Sequence, residues 1–318
     1  MDEFDLINQL LRPIAGTRSD VILGIGDDGA VVAPPPGEDL VVVADILVAD
    51  VHFPPQLSAA DIGYRAVAVN LSDIAAMGAL PRWATLALTL PAADEPWVSQ
   101  FAHGLGEALA EHNIALIGGD TTRGPLTITV QVIGSVPHGM ALMRHGAEPA
   151  DAIYVSGTLG DAAAGLRVVQ DGGAKSVHEQ FLANRFARPT ARLALGVALR
   201  GLASSCIDIS DGLLADLGHL AERSGCGARV NACVLPLSPA LQANLTPEQA
   251  QIIAATGGDD YELCFTLPAR FEATLSALRN QAIPCTRIGT ISPEAEVVLL
   301  DPENKRIPVS NHGYRHFH

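Results

Sequence analysis

Three consecutive prolines, Pro34 to Pro36, follow the stretch "GIGDDGAVV" (Gly24 to Val32) after a single alanine, and they limit what the glycines before them can build. Gly24, Gly26 and Gly29 complete a G-x-G-x-x-G spacing. In a dinucleotide-binding fold the third glycine of that spacing opens a helix whose N-terminus holds the pyrophosphate. Here Gly29 leads into β-like residues and then into the prolines, where a helix cannot start. Asp27 and Asp28 also put two negative charges where a pyrophosphate would lie. The stretch predicts instead a tight turn between two strands, with both carboxylates at its tip.

The chain has 318 residues and 48% hydrophobic residues, enough for a sizeable core and, by length, for two domains. Its formal net charge of −15 repels a nucleic-acid backbone, so no nucleic-acid partner is expected. No uncharged apolar run reaches the roughly 18 residues of a membrane span. The N-terminal "MDEFDLINQLLRPIAG" is acidic where a signal peptide is basic, which predicts a cytoplasmic protein without a membrane partner. The five cysteines, Cys206, Cys226, Cys233, Cys264 and Cys285, show no C-x-x-C pair and read as reduced thiols. There are only two lysines, Lys175 and Lys305, so any phosphate chemistry must rely on arginine, backbone N–H groups or metal ions.

Apolar runs flanked by Gly and Pro alternate with segments of helical period, the pattern of a mixed α/β protein. Strands are expected near 20–25, 29–33, 39–48, 82–90, 114–117 and 126–136. A helix opens at Ser58 and Asp61, in capping-box spacing, and runs to about Gly78; a second covers roughly 94–111. The Pro-, Gly- and His-rich segment 137–150 marks a boundary between domains 1–140 and 141–318. The second half restarts as strand, glycine turn and helix. Further helices are expected near 189–201 and 211–224, and strands near 204–209, 261–267, 284–290 and 295–300.

Asp and Gly are common turn residues for reasons of backbone geometry alone. The pattern recurs, however, at Asp45 in "VVVADILV", Asp73 in "NLSDIAAMG", Asp120 in "LIGGDTTRG", Asp208 and Asp211 in "CIDISDG", and Asp259 and Asp260 in "TGGDDYEL". Most of these sit at the end of an apolar strand or beside glycines, where open α/β folds place binding groups. Asp73 differs, since it lies inside a helix. The neighbours Val67, Val69, Leu71, Ile74, Ala75 and Ala76 are apolar on most faces, which suggests burial, and a buried carboxylate requires a cation. Clustered aspartates without histidine pairs or thiolates suit Mg²⁺ or Mn²⁺ rather than zinc. EF-hand, Walker A and protein-kinase signatures are absent from the sequence. What remains is a nucleotide enzyme that meets phosphates through metal ions.

"GIGDDGAVV", "VAVNLSDIAAMGALP", "LIGGDTTRGPLTIT", "CIDISDGLLADLGHL" and "GGDDYELCF" together resemble the thiamine-monophosphate kinase family, from about Gly24 to Phe265. That family is similar in fold to the aminoimidazole ribonucleotide synthetase superfamily. The resemblance implies an α/β (α+β) fold of two domains, the N-terminal sheet pairing across a homodimer and a C-terminal α/β domain beside it. It implies ATP and thiamine monophosphate as substrates and Mg²⁺ as cofactor. Asp28, Asp45, Asp73, Asp120, Asp208 and Asp211 match magnesium-binding positions, with Asp27 beside them. Gly119, Asp120, Arg144 and Ser210 match nucleotide contacts; His52 and Asp259 match contacts to the thiamine substrate. Asn311 stands where an aromatic residue commonly stacks on that substrate, with Tyr314 and His312 as possible replacements. Ala44 and Ile46 flank Asp45 where hydroxyl residues are common, and Asp259 replaces the more usual Glu. Arg123 is a second candidate phosphate contact or, alternatively, a loop-fixing ion pair, and His52 has the alternative of packing or capping.

The resemblance implies a transfer between two phosphate-bearing substrates, which requires cations between like charges. The accepting phosphate, with a second pKa of about 6, is mostly ionised at neutral pH, so no general base is expected. Among related chemistries, a selenophosphate synthetase needs an N-terminal reactive cysteine, and this chain has none before Cys206. An aminoimidazole ribonucleotide synthetase and a nucleotide-sensing binding protein remain as alternatives.

Overall fold

The structure, a computed structural model, describes residues 3–279, 284–309 and 313–314. It divides into two compact units, one of Met1–Ile74 and Ala79–Gly139, the other of Ala75–Gly78 and Met140–His318.

The first unit begins with a short helix, α1 (Glu3–Leu6), continued by π and 3₁₀ turns to Ile14. A two-stranded ribbon follows, β1 (Val21–Leu23) with β2 (Val31–Val32), and then a four-stranded sheet. Its strands are β3 (Glu38–Val48), β4 (Leu80–Leu90), β5 (Ala115–Arg123) and β6 (Thr127–Pro137), in the order β3-β6-β4-β5. β3 pairs with β6 along its full length, from Glu38↔Pro137 to Val48↔Thr127. β4 and β5 are parallel, so the chain between them crosses over through α3 (Glu95–Glu111). The other crossover is α2 (Ala59–Ala76), which begins as the sequence predicts: the Ser58 hydroxyl accepts the Asp61 N–H at 3.1 Å and donates to the Asp61 carboxylate at 2.7 Å. The two helices pack so closely that a Cβ on Gly63 would meet the Phe101 carbonyl, and one on Gly104 the Ala60 carbonyl.

The second unit is a six-stranded sheet with helices. Its strands are β7 (Ala152–Ser156), β8 (Ser205–Asp208), β9 (Gly227–Asn231), β10 (Leu263–Leu267), β11 (Cys285–Ser292) and β12 (Val297–Leu300). The order is β12-β9-β11-β7-β10-β8, antiparallel except for the parallel β12–β9 pair. The helices are α4 (Asp161–Gln170), α5 (Val177–Ala187), α6 (Leu193–Leu199), α7 (Leu213–Ser224), α8 (Pro239–Asn244), α9 (Pro247–Thr256) and α10 (Glu272–Arg279). β7, β8 and β10 are buried along their whole length, and Ile153, Val155, Ile207 and Cys264 join Leu213, Leu217 and Leu220 of α7 in one core.

Five elements of the second unit lie outside the sequence expectation: α5, α8, α9, α10 and β9. The helix expected at 189–201 is shorter, Leu193–Leu199. No helix among the described residues is long and apolar enough to cross a membrane.

Candidate active site

In the first unit, β1 and β2 pair antiparallel, Val21 opposite Val32, and hold the Gly24–Ala30 loop out as a turn. No helix follows Gly29. Asp27 and Asp28 are both exposed, and the Asp27 carboxylate accepts the Asp28 N–H at 2.9 Å. Arg12 donates to the Ile25 carbonyl at 3.1 Å. Gly26, at φ +128°, leaves room for it, since a Cβ there would lie 2.5 Å from the Arg12 guanidinium. The loop forms one wall of a cavity of about 610 Å³, and Gly118, Gly119 and Asp120 of β5 form another. Gly119 sits at φ +150° opposite Leu86 of β4, where a side chain would run into the Leu86 carbonyl. Asp27, Asp28, Gly119 and Asp120, far apart in sequence, thus line one space, and Arg12 lines it with them. Arg12 is absent from the sequence candidates, because a single arginine before a proline carries no motif.

Asp45 lies on the same face of β3 as the buried Val41 and Leu47, whereas Ala44 and Ile46 point to the opposite, exposed face. The Asp45 N–H donates to Asn70 Oδ1 at 3.1 Å, and Asn70 in turn donates to the Ala66 carbonyl, which ties β3 to α2. Burial raises the Asp45 carboxyl above its ordinary value, against the lowering effect of the nearby Arg65 charge. Asp73, one turn beyond Asn70, is half-buried, which corrects the expectation of burial. Val67, Leu71 and Ile74 are each within 1% of full burial, and within 65–76 of α2 Asp73 alone is not buried. His52 Nδ1 accepts the Val48 N–H at 3.0 Å in the turn after β3. That bond gives it a capping role and, in the neutral ring, leaves the proton on Nε2.

In the second unit the carboxylates gather where β8 ends and β10 begins. Beyond the strands the pairing continues: Ile209 N–H to the Glu262 carbonyl, Tyr261 N–H to the Ile209 carbonyl and Asp259 N–H to the Ser210 carbonyl, each at 2.8 Å. Asp208, Ser210, Asp211 and Asp259 are brought together on these two loops. The fit is tight, since a Cβ on Gly258 would lie 2.5 Å from the Ser210 carbonyl and one on Gly212 2.7 Å from that of Thr256. Asp259 and Tyr261 both adopt the left-handed backbone region, at φ +68° and +51°, and Tyr261 donates its hydroxyl to Asp259 at 3.2 Å. Positive φ in two nearby non-glycine residues is backbone strain that a functional loop can hold only if its surroundings fix it.

Three buried carboxylates do that fixing, and of these the sequence pattern singles out only Asp260. Asp216 accepts the N–H groups of Ser210, Asp211 and Gly212 at 3.0, 3.1 and 3.1 Å. Burial, with the charges of Asp208 and Asp211 nearby, pushes it up to about 8 against the pull of the backbone N–H groups. Asp260 accepts the Gly160 and Ala162 N–H groups at 2.6 and 3.2 Å, and burial pushes it also to about 8. Glu262, fully buried, accepts Ser156 Oγ at 2.5 Å, Arg185 Nη2 at 2.9 Å and Arg192 Nε at 2.6 Å. Sequence alone does not sort such residues from ligands, since inward and outward carboxylates occupy the same motifs.

Arg144 is exposed, one residue beyond Met143, whose carbonyl accepts the Cys206 N–H. Arg123 ends β5, also exposed. Tyr314 donates its N–H to the Asp211 carbonyl at 3.1 Å and helps to line a groove with Asp211, Leu214, His219 and Glu296. Asn311 and His312 lie outside the described residues. Among the described residues no three carboxylate, imidazole or thiol groups converge into a ready metal cage. Mg²⁺ commonly takes one or two carboxylates together with substrate phosphates and water. The hard oxygen donors at these strand ends suit that mode of binding.

The model of the AIR synthase related protein N-terminal domain matches residues 26–136, and that of the corresponding C-terminal domain matches residues 148–301. The thiamine-monophosphate kinase of Escherichia coli (strain K12) is 46% identical over 318 residues, which cover 99% of this chain and 98% of that one. The chain belongs to the thiamine-monophosphate kinase family. Solved structures agree with that membership. The thiamine-monophosphate kinase from Stenotrophomonas maltophilia K279a superposes with a TM-score of 0.88 at 47% identity, over 96% of this chain and 98% of that chain. AaThiL complexed with AMPPCP and TMP superposes with a TM-score of 0.79 at 31% identity, over 99% and 97%. Both domains expected of a thiamine-monophosphate kinase family member are thus present in this α/β chain.

Proposed function

We propose that this chain transfers the γ-phosphoryl group of ATP directly to the phosphate of thiamine monophosphate, giving thiamine diphosphate and ADP. The observation that carries the reading is full-length similarity to thiamine-monophosphate kinases at 46% identity. The carboxylate loops at the strand ends of both units support it, as does the relative solved with AMPPCP and TMP.

The residues divide by role. Asp28, Asp45, Asp73, Asp120, Asp208 and Asp211, with Asp27 beside Asp28, are the ligands we assign to Mg²⁺. When bound, Mg²⁺ neutralises phosphate charge and so permits the approach of two anions. Gly119, Asp120, Arg144 and Ser210 contact the nucleotide. Gly119 brings bare backbone to the cavity wall, and Arg144 supplies an exposed guanidinium for the phosphates. We assign His52, Asp259 and Asn311 to contact with the thiamine substrate. His52 already uses Nδ1 on the Val48 N–H, so it offers Nε2–H as a donor. The acceptor oxygen is ionised at neutral pH and no side chain removes a proton.

A homodimer belongs to the same reading. Leu40, Val42 and Ile46 are 47–57% exposed along one face of the edge strand β3, and Ile22 of β1 is 70% exposed. A long apolar edge strand of this kind is usually covered in the working assembly. Sedimentation of a dimer at micromolar concentration is expected. Placement in the cytoplasm fits the five free cysteines, four of them buried.

Incubation with ATP, Mg²⁺ and thiamine monophosphate, followed by product mass, tests the function. Thiamine diphosphate and one ADP per product are expected, with no phosphorylation of free thiamine. Equal turnover of free thiamine refutes the proposal, because the mechanism requires a phosphate acceptor.

A further inference from the structure

Asp216 is 4% exposed and lies in the first turns of α7, away from solvent and from any direct ligand position. Its Oδ2 accepts three successive backbone N–H groups, those of Ser210, Asp211 and Gly212, and its own N–H closes on the Gly212 carbonyl at 3.0 Å. Three consecutive N–H groups that converge on one point form a nest, the backbone concavity that elsewhere binds phosphate or another anion. Here the protein fills it with its own carboxylate. Because the amides of the turn point inward, its carbonyls point outward: that of Ser210 accepts Asp259 N–H and that of Asp211 accepts Tyr314 N–H. Gly212, at φ +127°, makes the sharp turn possible.

We infer that Asp216 is a positioning residue, an internal carboxyl group that occupies the Ser210–Gly212 nest. With the nest filled, the turn presents the Ser210 and Asp211 side chains, and not its amides, to the nucleotide phosphates and their cations. The inference rests on the phosphotransfer reading of this loop and adds to it a division of labour. The amides of 210–212 are not phosphate ligands, and the geometry of Ser210, Asp211 and Asp259 depends on a carboxylate that touches no substrate.

Asp216→Asn, Asp216→Glu and Asp161→Asn test it. Asp161 is buried in the same unit, bonds to Thr158 and Ser238, and touches none of residues 210–212, so its variant controls for general loosening. Amide hydrogen exchange over 208–217 and Mn²⁺ binding followed by electron paramagnetic resonance need no turnover. In Asp216→Asn, exchange at 210–212 should quicken and Mn²⁺ affinity should fall, each by about tenfold or more, as expected when a group that orients a metal ligand is altered. The kcat should fall by about as much, and the KM for thiamine monophosphate should rise, because Asp259 is held by the same turn. Asp216→Glu retains the carboxyl group and should move the same quantities less; if the Asn variant does not fold, it decides the matter alone. Asp161→Asn should lower the Tm without these changes. Wild-type exchange at 210–212 or wild-type Mn²⁺ affinity in the Asp216 variants overturns the inference, as does an equal response in Asp161→Asn. A wild-type protein without kinase turnover would refute the phosphotransfer reading, while exchange and Mn²⁺ binding would still decide the role of Asp216.

Discussion

Replacing Glu262 by alanine removes the anion that holds two arginines at the centre of the second unit. The Arg185 and Arg192 side chains are 12% and 26% exposed, and both donate to the fully buried Glu262 carboxylate together with Ser156 Oγ. Truncation leaves Asp161, at 4.0 Å, as an ion-pair neighbour of Arg185. Breaking a buried pair by removing one partner usually destabilises by about 3–5 kcal/mol, because the charge left behind has no compensation. The lower part of that range applies here, since the guanidiniums retain some solvent and Asp161 offsets part of the loss. For a unit of this size each kcal/mol moves the Tm by about 2–4 °C, so a fall on the order of 10 °C is expected in thermal unfolding followed by circular dichroism. The triple replacement Glu262→Met, Arg185→Met and Arg192→Leu should recover most of that fall, because an apolar cluster of similar volume needs no charge compensation. A fall below about 2 °C for Glu262→Ala would refute the argument, and so would a triple variant less stable than the single one.

Gly119→Ala should destabilise the first unit by about 3 kcal/mol or more, since the backbone is at φ +150° and the new Cβ meets the Leu86 carbonyl across the β4–β5 pair; wild-type Tm in that variant would contradict the geometry. Stability of the metal-free protein should fall as pH rises from about 6 to 8.5. Asp216 and Asp260, with folded values near 8 against an ordinary 3.8, hold protons in the folded state that the unfolded chain has released, and the penalty begins above 3.8 and is complete once pH passes the folded value. Each group contributes at most about 1.4 kcal/mol per pH unit in that window, and a Tm in EDTA that climbs between pH 6 and 8.5 would rule out both as protonated acids.

The first unit was largely legible because its elements are long and patterned. β3 is an apolar run of eight residues, Leu40–Ala44 and Ile46–Val48, interrupted only by Asp45, and α2 carries its own cap at Ser58. The second unit was less so. α5 mixes His, Glu, Gln, Asn and Arg with its apolar residues, so its helical period is weak. β9 has only five residues and exists through its pairing with β11 and β12, a tertiary cause that no local propensity displays. α9 did carry a signal, the Thr246–Gln249 capping box, in which Thr246 Oγ1 accepts the Gln249 N–H at 3.3 Å and Gln249 Oε1 the Thr246 N–H at 3.1 Å. The site was legible as a set of acidic loops but not as two kinds of acid.

That distinction has a physical origin. A carboxylate at a strand end can turn out toward a ligand or in toward the backbone of its own loop, and the motifs "CIDISDGLLAD" and "GGDDYEL" contain both kinds. Asp216 and Asp260 turn in and take five backbone N–H groups between them, while Glu262 takes two guanidiniums. Amides and arginines are the groups that a protein with only two lysines would otherwise offer to a phosphate. With them engaged by internal acids, what the loops present outward is Ser210, Asp211 and Asp259, with Asp208 buried behind them. Such a surface repels a bare phosphate and accepts one accompanied by cations, so an excess of acid at the strand ends is compatible with two anionic substrates.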